Sequence, residues 1–141
     1  MTVLSGGNDR TLATGACIRT FTGHTDWIMT CCFSPADGNT ILSCSYGKTL
    51  KLWDATTGVC RRTLTGHTSD VYGCAFSPIC DNIVLSCSDD QCLKLWDAAT
   101  GACTATLEGH ESFILCWAFS PDGATIASGD ALGGLKLWRR A

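Results

Sequence analysis

The chain has 141 residues, enough for one domain with a hydrophobic core and too few for two comfortable ones. Its hydrophobic content of 45% and charged content of 16% exclude an intrinsically disordered chain. The formal net charge of −3 and the lack of any Lys/Arg block argue against a protein that binds nucleic acid. No apolar run approaches the ~20 residues of a membrane span and no signal peptide is recognisable. We therefore expect an intracellular protein, cytoplasmic or nuclear.

Residues 1–15 form an incomplete copy of a unit that recurs later in the chain. Residues 4–12 match residues 85–93 closely, but the counterparts of residues 94–98 are missing. The missing residues would supply most of one strand and its tryptophan. We predict a truncated remnant repeat here, with residues 1–12 poorly anchored.

Three units of about 43 residues follow, and we assign them to residues 16–58, 59–101 and 102–141. Three short motifs mark every unit. Gly-His pairs occur at residues 23–24, 66–67 and 109–110, Phe-Ser-Pro begins at residues 33, 76 and 119, and Leu-Trp begins at residues 52, 95 and 137. Because separate motifs share one period, with a single shorter step before the last Leu-Trp, the chain is an internal repeat.

Each unit is predicted to contain four short β-strands. In the second unit the apolar or β-branched runs occupy residues 71–76, 83–87, 92–96 and 103–107. Turn-forming Pro, Gly, Asp and Asn residues separate the runs, and no segment has a sustained helical period. Four strands per unit are typical of one blade of a β-propeller.

These motifs resemble the WD40 repeat family, whose marks are the Gly-His pair, a Ser-Pro-Asp-Gly-like turn and a closing Trp-Asp. The resemblance extends from about Ala16 to Trp138. It implies an all-β fold of WD40 β-propeller blades, with three full repeats preceded by a truncated one. It also implies a rigid platform for protein assembly, as in the β subunit of heterotrimeric G proteins, without catalysis and without a cofactor.

The recurring His, Ser, Asp and Trp could suggest a catalytic triad, but the WD40 resemblance implies a structural hydrogen-bond network. A half-buried indole N–H and an imidazole need partners, and a chain of hydrogen bonds ties one strand to the next. The residues that match the family's network are His67, Ser86, Asp90 and Trp96 in repeat two, His24, Ser43 and Trp53 in repeat one, and His110, Ser128 and Trp138 in repeat three.

Repeat two alone carries the full set of network residues. Gly47 stands at the Asp position of repeat one, and Leu132 stands at that of repeat three. Asp130 lies two positions earlier and is predicted to point to the other face, because the strand pairing fixes which face each side chain takes. We therefore expect repeat two to be the most firmly networked.

Eleven cysteines could indicate a disulfide or zinc framework, but the number is odd and no Cys-x-x-Cys pair occurs. Several cysteines instead recur 43 residues apart within apolar or β-branched runs, namely Cys17, Cys60 and Cys103, Cys31 and Cys74, and Cys44 and Cys87. A free cysteine in such a run behaves as a small hydrophobe. We predict reduced thiols in the core and no metal site.

The WD40 resemblance places partners on the face that carries the Gly-His loops and the turns between the second and third strands. The residues at that face are Trp27, Met29, Tyr46, Asp70, Tyr72, Asp89, Phe113 and Leu115. Aromatic and Met side chains at a surface rim are typical of binding hot spots. Packing between blades is the alternative for some of them, especially Phe113 and Leu115, and Trp117 is predicted to lie in the core.

Strand counting predicts an open arc of blades. The first good strand, residues 16–21, is an outer strand without its own blade, and the last, residues 135–138, lacks an outer partner. Rings of this type usually need roughly four to eight blades. The chain is therefore either a piece of a longer propeller or one half of a six-bladed homodimer, in which each copy completes the last blade of the other.

We expect a non-catalytic scaffold or adaptor module that binds protein partners. The alternative is a ligand-binding, metal-binding or enzymatic site in the central channel of the propeller. All three histidines belong to Gly-His pairs, and neither Gly6-Gly7 nor Gly133-Gly134 is followed by the Lys-Ser/Thr of a phosphate-binding loop. The sequence therefore favours the scaffold.

Overall fold

Three antiparallel sheets make up the regular structure of residues 17–139, the part of the chain that this computed structural model describes. Blade 1 consists of β1 (Ile28–Phe33), β2 (Thr40–Ser45), β3 (Thr49–Asp54) and β4 (Cys60–Thr65). Blade 2 consists of β5 (Val71–Phe76), β6 (Ile83–Ser88), β7 (Leu93–Asp97) and β8 (Cys103–Leu107). Blade 3 consists of β9 (Ile114–Phe119), β10 (Thr125–Asp130) and β11 (Leu135–Arg139).

In every blade the strands lie side by side in chain order, each antiparallel to its neighbour. The predicted all-β fold of WD40 blades is confirmed, and the described residues form an arc of blades without a closed ring. The remnant repeat predicted at residues 1–15 lies outside the described residues. Within residues 17–139, no helix is long and apolar enough to cross a membrane.

The outer strand predicted at residues 16–21 is not formed over the described residues 17–21, where Thr20 makes the only bridge. An outer strand pairs with the third strand of its own blade. The sequence lacks most of the counterpart of that strand, so no ladder can extend along it. Phe21 is nevertheless buried, because its ring packs edge-on against Trp53 with centroids 5.7 Å apart.

Equivalent strand registers put the network side chains of the three blades on equivalent faces. Ser43 lies opposite Lys51, and Ile41 lies opposite Trp53, so Ser43 and Trp53 share one face of blade 1. The same register holds between β6 and β7 and between β10 and β11. The local pairing of the second and third strands therefore fixes where each Ser and Trp can meet.

The core lies between the blades, because each blade covers an apolar face of the one before it. Leu50 and Leu52 of β3 are buried by blade 2, and their counterparts Leu93 and Leu95 of β7 are buried by blade 3. At ~25 cal/mol per Å², covering such leucines is a main source of stability. Blade-to-blade packing thus holds the arc together.

The two interfaces between blades have different shapes at one position. Gly73 of β5 faces the indole of Trp117, and a Cβ atom added at Gly73 would lie 1.7 Å from its Cη2 atom. The position equivalent to Gly73 in repeat one is Thr30, whose hydroxyl donates to the carbonyl of Tyr72 over 3.2 Å. Trp117 is half-buried and packs in the core between blades 2 and 3.

All eleven cysteines are free. Three of them, Cys44, Cys74 and Cys87, are buried between blades as predicted. The core prediction is wrong for the exposed ones, which are Cys17, Cys31, Cys60, Cys103 and Cys116. Cys60 and Cys103 lie at the start of outer strands, and Cys31 and Cys116 lie on end blades, where no further blade covers them.

Candidate functional site

In blade 2, a chain of hydrogen bonds links Trp96 to Asp90. Trp96 Nε1–H donates to Ser86 Oγ over 2.8 Å, and His67 Nε2 lies 2.7 Å from the same Oγ. His67 Nδ1 lies 2.7 Å from Asp90 Oδ2. Because an ionised carboxylate only accepts, a neutral imidazole must carry its proton on Nδ1, and Ser86 then donates to Nε2. Each donor in this chain therefore has an acceptor.

The four side chains of this hydrogen-bond network come from separate segments. His67 lies in the loop before β5, Ser86 lies on β6, Asp90 follows β6, and Trp96 lies on β7. Asp90 also accepts from the backbone N–H groups of Thr68 and Cys92, over 3.0 and 3.1 Å. The network therefore ties the Gly-His loop and the β6–β7 turn to strands β6 and β7.

The pKa values of the pair favour a neutral histidine beside a carboxylate. Burial lowers the pKa of His67, and the hydrogen bond and charge of Asp90 oppose that shift. Burial acts to raise the pKa of Asp90, but the hydrogen bond and charge of His67 and the N–H groups of Thr68 and Cys92 together outweigh it and hold the pKa below the usual range. At neutral pH the pair is therefore a polar cross-link between a neutral imidazole and a carboxylate.

Blade 3 has the complete network, contrary to the sequence-based expectation. Asp130 Oδ2 lies 2.7 Å from His110 Nδ1, and His110 Nε2 lies 2.6 Å from Ser128 Oγ. Trp138 Nε1–H donates to that Oγ over 2.8 Å. The prediction that Asp130 points to the other face is wrong. Leu132, at the position where the aspartate was expected, is exposed.

Asp130 reaches His110 from the end of β10. It lies two residues after Ser128, so the alternation of side chains puts both on the same face of the strand, and the shift in pairing with β9 at Gly129/Asp130 has an equivalent in blades 1 and 2. The turn after Asp130 is also tight, since Gly134 N–H and Leu132 N–H both donate to Asp130 Oδ1, over 2.7 and 3.0 Å. The carboxylate therefore faces the Gly-His loop although it comes two positions early.

Blade 1 has only part of the network. Trp53 Nε1–H donates to Ser43 Oγ over 2.8 Å, and His24 Nε2 lies 2.7 Å from that Oγ. With Gly47 at the aspartate position, His24 Nδ1 is buried without a hydrogen-bond partner among the described residues. Burial, and then the charge of Lys51, lowers the pKa of His24 from 6.5 to about 4.

The arrangement gives no nucleophile that a substrate could reach. Ser43, Ser86 and Ser128, the hydroxyls beside the histidines, are fully buried. Each Ser Oγ also accepts an indole N–H, which leaves the hydroxyl held inside the blade. The geometry cross-links strands, and we infer a structural role for these residues.

The residues expected at the partner face form three groups. Trp27, Tyr46 and Tyr72 form a continuous aromatic row across blades 1 and 2. Trp27 stacks on Tyr46 with centroids 6.0 Å apart and an interplanar angle of 14°, and Tyr46 meets Tyr72 edge-on at 5.5 Å. Phe113 precedes β9 and Leu115 lies on β9, outside this row, and both are exposed instead of packed between blades.

The remaining face residues flank the aromatic row or lie beside it on β1. Met29 is partly exposed on β1. Asp89 N–H donates to the carbonyl of Asp70 over 3.0 Å, which joins the loop before β5 to the β6–β7 turn. Asp26 was not predicted as a face residue, because it does not recur in the repeat: the residue 43 positions later is Ser69. Its Oδ1 accepts the backbone N–H of Trp27 over 2.7 Å.

One face of blade 3 is uncovered. Leu135 and Leu137 of β11 are 80% and 74% exposed, whereas their counterparts Leu93 and Leu95 are 0% and 7% exposed. The same residue types are thus buried in blade 2 and open to solvent in blade 3. This open face of blade 3, defined by Leu135 and Leu137, is a second candidate contact surface.

A family model described as "WD domain, G-beta repeat" matches this chain three times, at residues 15–54, 58–97 and 101–139. The matched segments begin within one residue of the 16–58, 59–101 and 102–141 units assigned from the motif spacing, and together cover most of the chain.

Two curated relatives are similar to parts of the chain. Coatomer subunit beta' of Drosophila melanogaster is 47% identical over 38 residues, which is 27% of this chain and 4% of the relative. Nuclear distribution protein nudF 2 of Aspergillus clavatus is 41% identical over 54 residues, which is 36% of this chain and 12% of the relative. The aligned regions therefore span only a small part of the length of either relative.

Proposed function

The chain belongs to the WD40 repeat family, and from that premise we propose that it is a non-catalytic scaffold or adaptor module that binds protein partners. Proteins of this family are typically interaction platforms without enzymatic activity. The observation that carries the proposal is the aromatic row formed by Trp27, Tyr46 and Tyr72, in which Trp27 is exposed and the two tyrosines are partly buried.

The aromatic row has the properties of a binding hot spot. Trp27 is 73% exposed, whereas Trp53 and Trp96 are buried in the network. Large aromatic side chains held in one conformation bind with little loss of side-chain entropy, and they dominate the energetics of many interfaces. A relative named as a subunit of coatomer is consistent with a role in assembly.

The test is to replace Trp27 with Ala and to measure both folding and partner capture. We expect an unchanged melting temperature, because the indole is mostly exposed, and a loss of cross-linked partners in cell extract identified by mass spectrometry. Val59→Ala is the matched control, since Val59 is an exposed apolar residue in the β3–β4 turn. Equal capture by both variants would contradict the proposal, and loss of folding would assign Trp27 to the core.

We also propose that the open face of blade 3 is covered by a further WD40-type blade. The supporting observation is that blades 1 and 2 each have an equivalent leucine pair buried by the following blade. Two arrangements satisfy this: a longer propeller of which this chain is a segment, or a homodimer in which each copy covers the other.

Light scattering during size-exclusion chromatography separates the two arrangements. A mass of two chains that falls to one chain in Leu137→Glu supports the homodimer. An aggregate, or a monomer whose solubility or melting temperature changes in Leu137→Glu, supports a segment of a longer propeller. A stable monomer whose solubility and melting temperature are unchanged by Leu137→Glu would contradict the need for any covering blade.

A further inference from the structure

The aromatic row is held rigidly before any partner arrives. Tyr46 N–H donates to the carbonyl of Trp27 over 2.9 Å, and Trp27 N–H donates to Asp26 Oδ1 over 2.7 Å. One face of the Trp27 indole stacks on Tyr46, which leaves the other face in solvent. The row therefore presents a fixed π surface whose negative quadrupole is available to a ligand.

Three carboxylates lie in the loops and turns next to this row. Asp26 lies next to Trp27 in the loop before β1, Asp70 lies in the equivalent loop before β5, and Asp89 follows β6. Asp89 Oδ1 is buried and accepts no hydrogen bond from the described residues. Lys48 is the only Lys or Arg in the sequence segments 22–27, 46–48, 66–70 and 89–92, which contain these loops and turns.

Two other carboxylates near the Gly-His loops already form hydrogen bonds with histidines. Asp90 and Asp130 are paired with His67 and His110 in the networks of blades 2 and 3. Asp26, Asp70 and Asp89 do not pair with a histidine in those networks. These three carboxylates are therefore not committed to the histidine networks of the blades.

We propose that the row binds an arginine-containing basic segment of a partner protein, with a guanidinium stacked on the free face of Trp27 and further positive charge drawn to Asp26, Asp70 and Asp89. This inference rests on the proposed interaction function and gives the chemistry of its partner. A planar guanidinium stacks on an indole and is weakly hydrated, and its N–H groups suit carboxylates. An acidic segment would be repelled, and a purely apolar one would leave the carboxylates unmatched.

Tyr72 supports a site of this kind at neutral pH. Burial, and then the neighbouring Asp89, raises the pKa of the Tyr72 phenol to about 12. The phenol is therefore neutral throughout the physiological range and keeps its O–H. The end of the row near Asp89 thus combines a hydrogen-bond donor with a negative charge.

The experiment uses the full chain and three synthetic hexapeptides in a Gly/Ser background, measured by calorimetry and tryptophan fluorescence at low salt. The first peptide carries two arginines. The second carries citrulline at both positions, which keeps the planar shape and removes the charge. The third carries lysine, which keeps the charge and removes the planar group.

We expect the arginine peptide to bind about tenfold more tightly than the citrulline peptide, and more tightly than the lysine peptide. Added salt should weaken its binding. Trp27→Ala should weaken it by about tenfold, Asp89→Asn should also weaken it, and Val59→Ala should leave it unchanged. The citrulline comparison uses the unsubstituted chain, so it remains decisive if a variant folds poorly.

Equal binding of the citrulline and arginine peptides, or full binding by a folded Trp27→Ala variant, would overturn the proposal. The outcome is separable from that of the interaction function itself. If partner capture depends on Trp27 but excess arginine peptide does not displace the partner, the interaction function stands and the basic-segment inference fails. If neither depends on Trp27, both fail.

Discussion

Repeats one and two share the same Gly-His, Ser and Trp framework, yet the two histidines are in different situations. His67 uses both ring nitrogens, one with Ser86 and one with Asp90. His24 uses only Nε2, and its Nδ1 is buried without a partner among the described residues. A single residue, Gly47 in place of an aspartate, makes this difference. The hydrogen bonds among His, Ser and Trp therefore form without the aspartate, whereas a partner for the second ring nitrogen of the histidine requires it.

The same two repeats also differ at their contact with the next blade. Thr30 in blade 1 and Gly73 in blade 2 occupy equivalent places on β1 and β5. Thr30 meets a backbone carbonyl of blade 2, whereas Gly73 leaves room for the indole of Trp117 in blade 3. The size of one residue is therefore matched to the size of its neighbour, and the two interfaces are not interchangeable.

The largest effect is expected from Gly73→Ala. The new Cβ would lie 1.7 Å from Trp117 Cη2, so the indole must leave its place in the core between blades 2 and 3. Overpacking of this kind costs about 3 kcal/mol of unfolding free energy. Thr30→Ala is the control, because it removes atoms and forces nothing to move. Denaturant unfolding of both variants tests this, and equal midpoints would show that the contact at Gly73 is not a tight one.

A smaller effect is expected from Asp90→Ala. It leaves His67 Nδ1–H without an acceptor and removes the bonds from the Thr68 and Cys92 N–H groups. We expect a loss of about 2 kcal/mol. Gly47→Ala should have less effect on the melting temperature, since His24 has no carboxylate to lose. Equal shifts for the two variants would refute a stabilising role for Asp90.

Asp130→Ala in blade 3 extends this test. Asp130 makes the same bond to His110 that Asp90 makes to His67, with the same 2.7 Å distance. We expect the melting temperature to fall in the same direction as for Asp90→Ala. Leu132→Ala is the matched control, because Leu132 is the exposed residue at the position that the repeat spacing assigns to the aspartate. A larger loss for Leu132→Ala would contradict a stabilising contact between Asp130 and His110.

Gly47→Asp should supply the missing partner in blade 1. The backbone at Gly47 is not in the left-handed region, and an added Cβ meets Thr25 Oγ1 at 2.9 Å, a side-chain atom that can rotate away. A carboxylate there would accept from His24 Nδ1–H and raise stability by about 1 kcal/mol at neutral pH. Thermal unfolding beside Gly47→Asn separates the charge from the side-chain size. No gain in either variant would mean that the loop cannot bring the group to Nδ1.

The smallest expected effect is a change in the pH dependence of stability. Folding lowers the pKa of His24 from 6.5 to about 4, so below pH 6.5 the unfolded chain takes up a proton that the folded chain does not. This part of the stability is complete above pH 6.5 and is lost as the pH falls toward 4. Gly47→Asp should raise the pKa of His24 and flatten the slope. Imidazole NMR titration of the two proteins measures the pKa directly, and an unchanged value would contradict the predicted contact.

Much of the fold could be predicted from the sequence, because its signals are local and repeated. The 43-residue period, the turns between apolar runs and the Ser–Trp register recur in phase, so the pairing of neighbouring strands follows from short-range pattern. The Ser86, His67 and Trp96 positions come from that same pattern. The prediction of an outer strand at residues 16–21 is wrong because a strand needs a partner strand, and the third strand that would pair with it is incomplete in the sequence.

The sequence by itself determined that this chain is a run of β-blades, where each blade begins, and which side chains are available for a network in each. The tertiary structure alone decided the rest. It placed Asp130 beside His110, seated Trp117 against Gly73, and left Cys31 and Cys116 exposed while Cys74 is buried. The physical reason is that periodicity fixes which face of a strand a residue takes, whereas burial depends on whether another blade covers that face.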